Sequence, residues 1–73
     1  MRESKFVEQN QAKWADFEKE LSFAKKDPEK LRAQLIQVTD DLSYAKTFYK
    51  NRSVRVYLNG LAQKIYINIY KLF

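Results

Sequence analysis

The chain contains no cysteine and no histidine. A disulfide framework, a thiolate nucleophile and an imidazole base or metal ligand are therefore all excluded. One glycine and one proline in 73 residues are too few for the turns of a many-stranded sheet. No acid follows Asp41. No long apolar run occurs either: the most apolar stretch, IYINIYKLF, has nine residues, whereas a membrane-spanning helix takes about twenty. The opening MRESKFVEQNQAKW lacks the apolar core of a signal peptide.

What is present is a charge split. All nine acids lie between Glu3 and Asp41, and residues 1–41 also carry eight Lys or Arg, a balance of −1. Residues 42–73 carry Lys46, Lys50, Arg52, Arg55, Lys64 and Lys71 and no acid, a balance of +6. Such asymmetry points to a basic surface meeting an anionic partner: lipid headgroups, nucleic acid or an acidic protein. The plainer reading is a solvated basic face that keeps the protein soluble. A chain this short buries only about 60% of its unfolded surface, so its core supplies roughly 3–5 kcal/mol unless packing is tight or a partner helps.

Apolar spacing predicts an all-α antiparallel three-helix bundle, one domain over 1–73, with helices over about 4–26, 28–49 and 53–72. Val7, Trp14, Phe17, Leu21 and Ala24 form the first stripe, with Phe6 and Phe23 beside it and Asn10 as a polar gap. DPEK marks a restart, with Asp27 as N-cap and Pro28 at the first helical position. Leu31, Leu35, Val38, Leu42, Ala45 and Tyr49 make a heptad seam, widened by Ile36, Tyr44 and Phe48. KNRS breaks the pattern, and Ser53 is placed to cap the third helix. That helix carries Val54, Leu58, Leu61, Ile65, Ile69 and Leu72, with a second stripe of Tyr57, Tyr66, Tyr70 and Phe73. VRVYLNG also reads as a β-branched strand, but no partner strand accompanies it. Gly60, costly in a helix by about 1 kcal/mol, is expected to admit a neighbouring helix. Short connections make the helices antiparallel, with Leu35 near Ile69, Val38 near Ile65 and Leu42 near Leu61.

Asp40 and Asp41 have no Lys or Arg three or four residues away, so local helix pairing does not explain them. Asp41 adjoins the Val38–Leu42 seam and needs a donor if partly buried. The candidates are Asn59, Gln63 and Lys64 on the third helix, or the Trp14 indole and Lys13 on the first. Asp40 points further outward. Two adjacent carboxylates diverge by about 100° on a helix, and no nucleophile accompanies them, so they do not form a catalytic pair. Arg52 and Arg55 oppose the positive end of the third helix. They either reach back to a carboxylate or serve a partner, and their guanidinium forks suit phosphate or carboxylate. Tyr66, Tyr70 and Phe73 are left over once the seam is filled. Together with Arg52, Arg55, Lys64 and Lys71 they form a candidate partner or lipid surface.

The wording VTDDLSYAKTFYKNRSVRVYLNGLAQKIY, with the opening MRESKFVEQNQAKWADFE and DPEKL, resembles the N-terminal cytosolic region of stage II sporulation protein M-like integral membrane proteins of bacteria. The likeness spans nearly the whole chain. Its matching positions include Thr39, Asp40, Asp41, Leu42, Tyr44, Tyr57, Leu58 and Asn59. Lys50 stands where the family carries proline, and INIYKLF is more apolar than the family's continuation. The resemblance implies a helical domain on the cytoplasmic face of the membrane, followed by membrane-spanning helices. It assigns no catalytic residue and no cofactor.

The sequence thus predicts a non-enzymatic domain with no metal or cofactor, acting in protein interaction or assembly at the membrane. Its expected partners are other membrane-associated proteins, a second copy of itself or an anionic membrane surface. The alternative is a small basic nucleic-acid-binding bundle, although no recognition motif is present.

Overall fold

The computed structural model describes residues 2–23 and 26–71. Three helices occur in the order α1 (Glu3–Glu20), α2 (Pro28–Phe48) and α3 (Arg52–Lys71), and no strand forms among the described residues. The expected three-helix, all-α fold is therefore present. The helical continuation at Ala24 and the seam position Leu72 lie outside the described residues.

The start of α2 follows the expected chemistry. The Asp27 carboxylate accepts from the Glu29 amide at 3.0 Å, and Pro28 occupies the first turn, where its missing N–H costs nothing. Two boundaries differ from expectation. α1 stops at Glu20, about a turn and a half before Lys26. The Ser22 hydroxyl donates to the Lys19 carbonyl at 2.7 Å, and the Ser22 and Phe23 amides bond three residues back. This tightens the end into a 3₁₀-like turn. At α3 the cap is Asn51, whose Oδ1 accepts from the Ser53 amide at 2.9 Å. Ser53 is the donor there, and α3 begins one residue earlier than the spacing predicts.

α2 and α3 form the closest antiparallel pair. Val38, Ala45, Leu58 and Ile65 are wholly buried in the core that includes their seam. α1 packs across them through large side chains. Its Phe6 ring lies 5.1 Å from Tyr44 and 5.4 Å from Tyr49, near the C-terminal end of α2. Trp14 meets Asp41 midway along, and Glu20 meets Gln34 at the other end. α1 is thus antiparallel to α2. It runs parallel to α3, where Trp14 lies 5.9 Å from Tyr57. Phe6, rather than its neighbour Val7, enters the core. The polar gap at Asn10 is harmless because its amide donates to the Phe6 carbonyl at 2.8 Å.

Gly60 does not admit a neighbouring helix. A Cβ built on it would meet nothing within 4 Å, and its φ is not positive. The bundle measures 37 × 19 × 17 Å.

Candidate functional site

The two aspartates separate as their spacing requires. Asp41 is half-buried, and Asp40 is exposed. The Asp41 Oδ2 accepts from the Trp14 indole N–H at 2.8 Å and pairs with the Lys13 ammonium at 2.8 Å. Of the donors the sequence offers, the structure selects those on α1. Asn59 is exposed on α3 and makes no contact with either aspartate among the described hydrogen bonds. The trio Asp40, Asp41 and Asn59 is therefore not one polar motif. Asp41 acts as a clasp between α1 and α2, and both its donors are spent on structure.

A second polar clasp closes the other end. Glu20 accepts from the Gln34 amide and pairs with Lys30. Lys30 holds the Glu20 carboxyl below the ordinary carboxylate value, chiefly by hydrogen bonding, and Gln34 adds to this. In return Glu20 raises the Lys30 ammonium. Gln34 is buried. The sequence signal is a polar residue three after Leu31 and four before Val38, inside the apolar seam. Among the described residues, no three acid side chains gather as a metal site requires.

The cationic candidates divide. α3 turns about 100° per residue, which places Arg52 with Tyr70 and Arg55 with Tyr66 on its outward side. Tyr66 is 59% exposed and Tyr70 73%. Lys64 lies roughly 200° round from Tyr66, and Lys71 roughly 100° from Tyr70. Both are exposed; Lys71, four residues after Ile67, borders that side, and Lys64 lies off it. Phe73 lies outside the described residues. Arg55 reaches back across the turn to donate to the Lys50 carbonyl at 3.3 Å. Among the described residues neither Arg52 nor Arg55 meets a carboxylate, the ion pairs being Lys13–Asp41 and Lys30–Glu20. Exposed Ile67 and Val56 join the tyrosines on this side. The seam repeat passes over Val56 and Ile67, because each stands two residues, about 200°, from a seam position, Leu58 and Ile65.

No described helix is long and apolar enough to cross a membrane. The chain matches no curated protein and no solved structure. Residues 4–71 match the family described as a domain of unknown function, DUF8413, and the chain belongs to that family.

Proposed function

We propose that this DUF8413 domain is a non-enzymatic helical interaction module that assembles membrane-associated proteins at the cytoplasmic face of a bacterial membrane. The observation that carries the reading is the outward side of α3, where Arg52, Arg55, Tyr66, Ile67 and Tyr70 lie in a segment without any acid. An exposed apolar patch flanked by cations that meet no carboxylate among the described residues is suited to an interface. Cytoplasmic segments close to membrane helices are rich in Lys and Arg, and anionic headgroups attract each such charge by about 1 kcal/mol near the surface. The membrane setting itself rests on the resemblance to stage II sporulation protein M-like proteins. The polar clasps at Asp41 and Glu20 support a scaffold role, since their carboxylates are engaged by the fold.

The same tyrosines and arginines favour a second reading, in which exposed rings stack on the bases of single-stranded nucleic acid. Co-flotation with phosphatidylglycerol vesicles, beside titration with duplex and single-stranded DNA at two salt concentrations, separates the two. Vesicle binding that is lost in a Tyr66→Ser/Tyr70→Ser variant supports the membrane-side module. DNA binding with a steep salt dependence, together with indifference to vesicles, establishes the alternative.

A further inference from the structure

The α2–α3 hairpin has two long grooves. α1 fills one of them: Gln34 and Asp41 of α2 and Tyr57 of α3 all contact α1 side chains. The other groove is open. Its α2 wall is Leu35, Leu42 and Lys46, and its α3 wall is Arg55, Asn59, Ala62 and Tyr66. Both sets follow steps of three, four or seven, which place each on a single helix face. Two hollows lie along this groove. One, of about 290 Å³, is lined by Leu35, Ala62, Gln63, Tyr66 and Ile67. The other, of about 250 Å³, is lined by Leu42, Lys46, Arg52, Arg55, Val56 and Asn59. The first is almost wholly apolar, the second holds three cations, and no carboxylate lines either.

We infer that this groove receives an acidic amphipathic helix of a partner protein, which lies along it as the fourth helix of the bundle. This rests on the reading of α3 as the partner-facing surface and adds the partner's chemistry. The eleven steps from Leu35 to Lys46 span about 16 Å, or three helical turns. A helix laid there sets an apolar i, i+3, i+7 row over Leu35, Ala62 and Tyr66. Its carboxylates then reach Lys46, Arg52 and Arg55. A second copy of this chain fits less well, because pairing α3 with α3 brings together two surfaces that carry cations and no acids. A bilayer fits less well too. Its plane meets projecting groups such as Tyr70, whereas the half-buried Ala62 sits in the floor of the hollow.

The test is an NMR titration of the isotopically labelled domain with a capped Leu/Glu heptad peptide about four turns long. Its Lys-for-Glu counterpart and phosphatidylglycerol vesicles are titrated in parallel. The Glu peptide should shift the amides of Leu35, Leu42, Ala62 and Arg55, and the Lys peptide should not. Arg52→Glu and Ala62→Phe should each weaken binding by about tenfold or more, the first by charge reversal and the second by filling the hollow. Arg52 is exposed, and an acid suits the first turn of α3, so Arg52→Glu keeps the fold and carries the test even if Ala62→Phe does not. The inference is overturned by equal binding of the Lys peptide, by shifts confined to α1 or to Lys64 and Lys71, or by no shift at millimolar peptide in low salt. Self-association or vesicles occupying the same groove amides in place of the peptide also overturn it. Vesicle binding without peptide binding removes this inference and leaves the membrane-side reading intact. Peptide binding without vesicle binding upholds this inference and the interaction reading, and removes only a direct contact with lipid.

Discussion

The Trp14 indole donates to the Asp41 carboxylate across 27 positions of sequence, at 2.8 Å. With the Lys13 pair on the same oxygen, this bond ties α1 to α2 midway along the bundle. Trp14 is only 3% exposed, so removing the acceptor leaves its N–H with little access to water. Leaving such a donor unpaired costs about 1–3 kcal/mol. Asp41→Ala should therefore lower the unfolding free energy by that amount, read as a lower denaturant midpoint at unchanged slope. Asp40→Ala, at an exposed site, should stay within about 0.5 kcal/mol. Equal and small losses at both sites would show that the indole bond carries no weight in solution.

Much of this arrangement is legible in the sequence, and the limits have physical causes. The seam of Leu31, Val38, Leu42 and Ala45 and the cap at Asp27 are local patterns, and both appear where the spacing puts them. The partner of Asp41 stays open at that level, because α1 and α3 both offer donors. Periodicity does not reveal how α1 rolls about its axis, and that roll buries Phe6 and brings Trp14 over Asp41. The end of α1 is misread for a similar reason. Phe17, Leu21 and Ala24 continue an apolar stripe, while a single hydroxyl at Ser22 competes for the Lys19 carbonyl. The open groove beside α3 is not visible in any one helix. It is formed by α2 and α3 together and stays open because α1 fills the opposite one.

The hairpin core makes a second prediction. Leu61 is 1% exposed and Leu42 8%. Leu61→Ala and Leu42→Ala should each cost roughly 2–5 kcal/mol through lost transfer energy and the cavity left behind, with Leu61 the larger. For so small a domain that is most of the available stability. Urea or thermal unfolding would show it, and losses below about 0.5 kcal/mol at both positions would be incompatible with this packing.

The Glu20 clasp predicts a dependence on pH. Lys30 and Gln34 hold the Glu20 carboxyl below its ordinary value of 4.5, so the folded state gives up that proton more readily than the unfolded state. The resulting stability is fully present above pH 4.5 and is lost as the pH falls through the lowered native value. Glu20→Gln should therefore differ from the parent near neutral pH and converge with it in acid. Both partners of the ion pair reach solvent, so the difference should be small and shrink in high salt. A gap between the two proteins that widens on acidification would contradict the assignment.

Gly60 makes the last prediction, and it runs against the usual direction of substitution. The residue lies inside α3, its φ is not positive, and a Cβ there would meet nothing within 4 Å. Neither a turn nor a close helix contact requires glycine. Alanine at this position gives up less backbone entropy on folding, an advantage of about 0.8–1.0 kcal/mol in a helix interior. Gly60→Ala should raise the thermal midpoint by roughly 4–8 °C for a chain of this length. The measurement is a melt of the isolated domain beside a titration with the acidic peptide. Peptide affinity should hold, because Gly60 lines neither hollow of the open groove. A lowered midpoint would mean that α3 at Gly60 is more crowded in solution than its open surroundings indicate.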